Sequence, residues 1–575
     1  MRGTIPISVE HGPRRFTHWD MLAVLLVLGL LVFVGEASRH LLQPLTELET
    51  TPLSLAPQHL PEYAARTTLR MLVALVFSLL FTFTYATWAA KSRRAATLLV
   101  PLLDILQSVP ILGFISVTVV FFMSLAPGRV LGAEFAAVFA IFTSQAWNMA
   151  FSFYQSLRTV PVELLEASRV FRLSRWMQFW RAEVPFAMPQ LIWNMMVSMS
   201  GSWFFVVASE AISVGKTTVT LPGIGSYIAL AIAKEDLAAI VWAIAAMLVV
   251  ILLYDQLLFR PLVAWADRFR FEQQSGVMPP RSWVLDVLRR SGVVATLTDP
   301  LDRLWRRTFK PSRSEASSRA PRPKLKLGRW ADWLWNGCVA ALAVYAIWRV
   351  ASFVSGSISL QEVGRALLLG LATLARVIIL IAAATLIWVP VGVMVGMRPR
   401  VAQLVQPVVQ IMAAFPANVL FPIAVSAIVL LKIDPNIWLS PLMILGTQWY
   451  ILFNVIAGAA AIPSEMRDVG TNLQIRGWLW WKKIALPAVF PYYLTGAITA
   501  SGGSWNASIV AEVASWGHTR LEAFGLGAYI AQATDAGDFH RIVLGVAVMS
   551  FYVVVINRAF WRPLYWYAER KFRLE

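Results

Sequence analysis

The chain of 575 residues contains a single cysteine, Cys338, and it lies in an apolar run. A disulfide within the chain and a cysteine metal site are both excluded. Histidine is nearly as scarce. His11, His18, His40, His59, His518 and His540 are scattered, mostly near loops or ends, and no His/Asp/Glu cluster accompanies them. An enzyme built on metal or general-base chemistry has nothing here to work with. Charge is the third shortage. Only 14% of residues are charged while 58% are hydrophobic, whereas soluble domains carry about 25% charged residues. The class that remains is an all-α integral membrane protein.

Apolar runs supply the spans. In the first half they are Met21 to Gly35, Met71 to Ala90, Ile105 to Gly128, Phe135 to Leu157, Val184 to Ser209 and Leu237 to Tyr254. In the second they are Leu334 to Trp348, Val377 to Met397, Val401 to Leu431, Pro435 to Ser464, Ile484 to Ala511 and Ile542 to Asn557. Most can cross a hydrocarbon core about 30 Å thick, which predicts six spans per half. The first run lacks a small-x-small cleavage site and is not read as a signal peptide. The net charge of +18 is placed by topology rather than by nucleic acid. Lys91, Arg93 and Arg94 follow the second span, and Arg158, Arg169, Arg172, Arg175 and Arg181 follow the fourth. From Arg260 to Arg329 there are 16 basic and 6 acidic residues, whereas Glu36 to Glu62 carries more acid than base. The expected orientation has the N-terminus, the central linker and the C-terminus in the cytoplasm.

The chain also repeats itself. "VPVELLEASRVF" faces "IPSEMRDVGTNL", "LPGIGSYI" faces "AFGLGAYI", and "RPLVAWADRFRFE" faces "RPLYWYAERKFRL". Pro161 and Pro463, Pro185 and Pro487, Glu210 and Glu512, and Arg260 and Arg562 are all 302 positions apart. "PLLDILQSVP" faces "PVVQIMAAFP" at a slightly different offset. An even number of spans in each half makes the repeats parallel, related by a pseudo-twofold axis along the membrane normal. The expected organisation is an N-terminal segment with first span and outer loop (1–61), a first repeat (62–272), a basic Pro/Ser/Arg-rich linker (273–326), a first span of the second half with outer loop (327–374), and a second repeat (375–575).

Between spans four and five each half carries an amphipathic segment. Leu164, Leu165, Val170 and Phe171 alternate with Glu163, Glu166, Arg169 and Arg172 at helical spacing. Taken alone, that pattern suits an interfacial helix equally well. The detail is more specific. Glu166-Ala167-Ser168 followed at a fixed distance by Val184-Pro185, and Asp468-Val469-Gly470 followed by Leu486-Pro487, resemble the EAA loop of ABC importer permeases. The glycine of that motif is replaced by Arg172 and Gln474. The wider sequence resembles the nitrate/sulfonate/taurine class of binding-protein-dependent permeases in duplicated form, over about residues 67–269 and 375 onward. The resemblance implies a type I importer fold in a bacterial inner membrane. It also implies coupling to two copies of a separate ABC ATPase through Glu163, Glu166, Ala167, Ser168 and Arg172 and through Glu465, Asp468, Val469, Gly470 and Gln474. ATP and Mg would be held by the ATPase, this chain carrying no cofactor, and an extracytoplasmic binding protein would deliver the substrate.

"VGKTT" at Val214 to Thr218 imitates a phosphate-binding loop and is not one. Glu210 stands where the first glycine belongs, the repeat has "WGHTR" at the same place, and the expected topology puts the loop outside. A re-entrant or short helical hairpin is expected there, with Gly223 and Gly225 matching Gly525 and Gly527. Span five carries Ser198, Ser200 and Ser202 with Trp203, and Ser501, Ser504 and Asn506 with Trp505. Two readings stand: donors along a path for a small polar anion, or small residues packing helices together. No Arg or Lys lies inside the spans as drawn to clamp an anion. Glu210 and Glu512, 25 residues beyond Pro185 and Pro487, fall about 37 Å along the helix, near the outer face. They either organise an outer gate or make a structural hydrogen bond. The function these features imply is a permease subunit of an ATP-driven importer for a small anion such as nitrate, a sulfonate, taurine or bicarbonate. The alternative is an ion-coupled secondary transporter with six plus six spans.

Overall fold

In the computed structural model, residues 18–38, 53–108, 111–171, 173–214, 217–269, 282–292, 329–462 and 464–571 are described, with isolated positions between 294 and 303. The first half contains α1 (His18–Ser38), α2 (Leu60–Phe81), α3 (Arg93–Ser108), α4 (Ile111–Leu125), α5 (Val130–Arg158), α6 (Val162–Val170) and α7 (Val184–Glu210). A hairpin of β1 (Ala211–Val214) and β2 (Thr217–Thr220) follows, then α8 (Ile224–Ala233) and α9 (Leu237–Tyr254). The second half contains α10 (Arg329–Ser355), α11 (Leu360–Gly396), α12 (Pro399–Ala414), α13 (Phe421–Leu431), α14 (Gln448–Ala460), α15 (Ser464–Asn472) and α16 (Leu486–Ala511). It ends with β3 (Val513–Trp516), β4 (Thr519–Glu522), α17 (Leu526–Ala536) and α18 (Phe539–Ile556). Both hairpins are antiparallel, with Ala211 opposite Thr220 and Val513 opposite Glu522. A β-hairpin therefore stands where a re-entrant or helical hairpin was expected. The consecutive β-branched residues Thr217, Thr218, Val219 and Thr220 favour extended backbone in the first of the two hairpins.

Among the described residues, eight helices are long and apolar enough to cross a membrane, or ten if two bent pairs each count as one. The bent pairs replace two straight spans of the second half. Val408–Ala414 and Ala417–Leu431 meet at 79°, and Pro435–Leu445 and Gln448–Ala460 at 43°. The sharper bend is at Pro416. Phe415 before it is extended (φ −71, ψ 127), as the ring of a following proline demands. The corresponding Pro110 lies outside the described residues.

Prolines also account for a second departure. Span five does not begin at Pro185 or Pro487; the helix runs unbroken from Arg175 to Glu210 and from Gly477 to Ala511. Each proline follows a π-helical turn, Phe179–Glu183 or Trp481–Ala485, closed by Val184 N–H on Phe179 O or Leu486 N–H on Trp481 O. Asp255–Phe259 before Pro261 and Asn557–Trp561 before Pro563 repeat the pattern. A proline lacks an N–H and crowds the carbonyl four residues back, and the wider turn relieves both.

The two halves are intertwined. The core around α2, α5, α7 and α9 is completed by Ala414, Phe415 and Val419 of the second half. The core around α11, α14, α16 and α18 is completed by Ile111, Leu112, Ile115 and Val119 of the first. Two hydrogen bonds tie the crossing segments down: Ile111 N–H donates to Asn506 Oδ1 (2.7 Å), and Asn418 Nδ2 donates to Phe204 O (3.2 Å). Gly517, at φ 56 in the β3–β4 turn, donates its N–H to Ile232 O of α8 (3.1 Å). The described part of the linker is also attached. Ser291 Oγ donates to Asp20 Oδ1 (2.9 Å), and the Arg290 guanidinium lies 5.0 Å over the Trp19 ring. Replacing Asn506 by Leu leaves the Ile111 N–H without its partner, a loss of about 1–3 kcal/mol. The expected outcome is a lower melting temperature of the detergent-solubilised chain; an unchanged one contradicts the crossing contact.

Candidate functional site

The EAA-like segments share their local geometry. In α6, Glu163, Glu166, Ala167 and Arg169 are exposed, and so are Val162, Val170 and Phe171. In α15, Glu465, Asp468 and Val469 are exposed, and Leu473 just beyond it is too. One position in each turns inward: Ser168, whose Oγ donates to Leu165 O (2.7 Å), and Gly470, where a Cβ would come within 2.7 Å of Ile484 Cδ1. A small residue is needed there because the short helix lies against the root of span five.

Both helices end in a chain reversal. Leu173 N–H donates to Ser168 O (3.0 Å), and Ile475 N–H donates to Gly470 O (2.9 Å). This six-residue closure is the Schellman pattern, and its penultimate residue takes a left-handed backbone. Gln474 does so at φ 50. The glycine missing from the motif is thus a glycine for conformational reasons, and Gln474 adopts the same backbone at a steric cost. Arg172, at the matching place, lies outside the described residues, as do Gly215 and Lys216.

At the other end of span five the structure brings together residues that sequence reading kept apart. Glu210 is fully buried. Its Oε1 accepts from Thr67 Oγ1 (2.7 Å) and Arg70 Nη1 (2.6 Å), and its Oε2 accepts from Gly225 N–H (2.7 Å). The Ile224 N–H donates to Thr67 Oγ1 (3.1 Å). The second repeat rebuilds this knot. Glu512 accepts from Thr373 Oγ1 (2.8 Å), Arg376 Nη1 (3.1 Å) and Gly527 N–H (2.7 Å), and Leu526 N–H donates to Thr373 Oγ1 (2.9 Å). Each carboxylate thus sits on the N-terminus of the following helix, α8 or α17, where free N–H groups and the helix dipole favour an anion. Cβ atoms at Gly223 and Gly525 would overlap the carboxylates. At Gly225 and Gly527 they would overlap the carbonyls of Val207 and Ser508.

Arg70 and Arg376 correct the expectation that no cation lies inside the spans. Apolar-run reading stops at a charge, so span two was started at Met71 and at Val377. The helices instead begin at Leu60 and Leu360, and the arginines lie inside them, buried because each has a carboxylate partner. Arg70 takes a second carboxylate, Glu134, through Nε and Nη2 (both 2.6 Å). Another buried carboxylate, Glu183, was also missed. It pairs with Lys91 Nζ (2.5 Å) and accepts from Gln178 Nε2 (3.0 Å) beside the first EAA-like segment.

Span-five polar residues mostly face their own half. Ser198 accepts from Asn148 Nδ2 (2.9 Å), Ser202 shares a hydrogen bond with Ser144 (2.6 Å), and Ser504 shares one with Thr447 (3.0 Å). Ser501 is buried, and Trp203 and Trp505 pack against Tyr254 and Tyr552. Asn506 crosses to the other half as described. Between the halves, Ser200, Trp203, Tyr254, Asp255 and Gln410 line a narrow cavity. The buried Tyr254 hydroxyl has no partner among the described residues.

Two stability measurements follow. Gln474→Gly removes the left-handed strain and raises stability by up to about 1 kcal/mol, read as a higher melting temperature; a drop contradicts the reversal geometry. Glu210→Gln leaves Arg70 its Glu134 partner, whereas Glu512→Gln leaves Arg376 with no carboxylate among the described residues. The larger loss is expected for Glu512→Gln, and equal losses contradict the two knots as described.

Comparison with known proteins bears on the same regions. The sequence profile of the family described as "binding-protein-dependent transport system inner membrane component" matches twice, at residues 78–260 and 388–561, together more than half of the chain. The nitrate import permease protein NrtB of a Synechocystis species is 26% identical over 202 residues, 35% of this chain and 70% of that protein. The bicarbonate transport system permease protein CmpB of Synechococcus elongatus is 28% identical over 189 residues, 33% of this chain and 64% of that protein. The glycine betaine/proline betaine transport system permease protein ProW of Escherichia coli is 29% identical over 156 residues, 27% of this chain and 42% of that protein. The chain thus spans less than two thirds of the length of CmpB and of ProW. Two matches in tandem, each containing one EAA-like segment and one buried span-five glutamate, place the chain in the family of binding-protein-dependent transport system inner membrane components, with the permease unit present twice.

Proposed function

We propose that the chain is the membrane subunit of an ATP-driven importer for a small anion, with both halves of the permease pair fused. The observation that carries this reading is the duplication of the EAA-like segment. Glu163 and Glu465, Glu166 and Asp468, and Phe171 and Leu473 are exposed at the same relative positions of two short helices, each rooted in its own span five. Two equivalent surfaces suit two copies of one ATPase subunit. In this reading ATP and Mg belong to those subunits, the EAA-like helices face the cytoplasm together with both chain termini, and a binding protein docks on the opposite side.

The intertwined core supports a mechanism of rocking. Closure of the ATPase pair would press on α6 and α15, and the continuous helices of span five would carry the displacement to the interface. Each span five is packed against the crossing segment of the other half, so neither half can tilt without the other. The route would open between the halves, where Ser200 and Trp203 line the cavity and Asn506 crosses from one half to the other. The anion assignment is supported by the nitrate and bicarbonate permeases to which the chain is similar. The match to a binding-protein-dependent transport component favours it over the ion-coupled alternative.

Replacing Glu166 and Asp468 together by Ala should abolish ATP-driven uptake while leaving the chain's melting temperature and membrane insertion unchanged, because both side chains are exposed. Uptake at the unsubstituted rate in that double variant would sink the coupling assignment.

A further inference from the structure

The two outer knots differ on one edge of the arginine. Arg70 gives Nη1 to Glu210 and gives its other edge, Nε and Nη2, to the two oxygens of Glu134. Arg376 uses Nη1 alone, for Glu512 and for Phe524 O (2.9 Å). The position 302 residues beyond Glu134 is Asn436, which is exposed and accepts from Phe524 N–H through Oδ1 (2.8 Å). Nε and Nη2 of Arg376 make no hydrogen bond among the described residues, and neither is among the buried unpaired atoms. The side chain is 15% exposed, against 4% for Arg70. The surroundings are open: Phe524, Ile437 and Trp438 are all more than half exposed.

One repeat therefore displays what the other lacks. The Nε/Nη2 edge of a guanidinium is a planar two-donor fork that matches two oxygens of a planar oxyanion. In the first repeat that oxyanion is built in. In the second, no carboxylate meets that edge among the described residues, and the side chain is partly exposed beside Phe524, near where Glu512 meets α17. We propose that the free edge of Arg376 is an entry site for a planar oxyanion, the shape shared by nitrate, bicarbonate and a side-chain carboxylate, and a poorer match to a tetrahedral sulfonate. This rests on the anion-importer reading and narrows its substrate class. Glu512 holds the guanidinium in place and offsets its charge, so binding there is weak enough to release the anion into the route.

The internal comparison also supplies the test. Asn436→Glu places a carboxylate beside Phe524, whose carbonyl Arg376 already contacts, to fill the fork from within, whereas Asn436→Gln keeps the position neutral. The full chain in nanodiscs, with no other protein present, is titrated with sodium nitrate by calorimetry. The expected result is nitrate binding weakened about tenfold or more in Asn436→Glu and in Arg376→Gln, and retained in Asn436→Gln. Undiminished binding in Asn436→Glu overturns the site, and that variant does not depend on how well Arg376→Gln folds. Absence of binding to the unsubstituted chain also overturns it, and leaves an acidic side chain of a docking protein as the oxyanion. Nitrate and bicarbonate uptake by cells carrying the complete transporter separates the two levels. Uptake by the unsubstituted chain with an unchanged half-saturation concentration in Asn436→Glu overturns the site alone, whereas no uptake of nitrate, bicarbonate, a sulfonate or taurine overturns the anion reading itself.

Discussion

A carboxylate buried at the end of span five constrains everything around it. Glu210 and Glu512 cannot stay charged in that position without compensation, and three chain segments converge to supply it: the arginine and threonine of span two, and the free N–H groups that open α8 and α17. The convergence explains features that are otherwise unrelated. Span two must extend beyond its apolar run to bring Arg70 or Arg376 into place. The helix after the hairpin must begin with glycine, because any side chain at 223, 225, 525 or 527 would occupy the space of the carboxylate or of the helix beside it. The hairpin between them is the short connection that returns the chain from the glutamate to those glycines.

With its glutamate end fixed in this way, each span five behaves as one rigid element running from the knot to the EAA-like segment. The π turns before Pro185 and Pro487 let the helix pass the prolines unbroken, so one rod runs from beside each EAA-like helix to the buried glutamate. The rods do not belong to separate bodies. Phe415 and Val419 complete the first core, Ile111 and Ile115 complete the second, and Asn506 and Asn418 make the polar crossings. Fusion of two permease units in one chain is consistent with a permanent interface, and the linker helix packed against Trp19 and Asp20 adds a further attachment.

Much of this was legible in the sequence, because duplication gave every motif an internal control. The constant offset of 302 aligned the two EAA-like segments, the two glutamates and the four glycines before any contact was known. The loop resembling a phosphate-binding motif was dismissed on the same comparison. The buried charges escaped reading for one reason: hydropathy treats a charge as the end of a span. Arg70 and Arg376 lie at those limits, so the pairs that bury the glutamates were invisible, and Glu134 and Glu183 fell outside every motif. Helix interruptions were misplaced for a second reason. Pro185 reads as a helix start, but a π turn before it lets the helix continue, and nothing in apolar periodicity distinguishes the two. The serines of span five could not be assigned from sequence, since packing and lining positions draw on the same small residues. In the structure most of them hydrogen-bond within their own half.

The central claim is that one chain presents two equivalent coupling surfaces to an ATPase. Its most direct test is the stoichiometry of the complex purified from native membranes, measured by mass spectrometry of the intact assembly together with its ATP hydrolysis. The account predicts two ATPase subunits for each copy of this chain and hydrolysis by the assembly. A chain that purifies alone, with uptake abolished by collapse of the ion gradient and insensitive to ATP depletion, would contradict it.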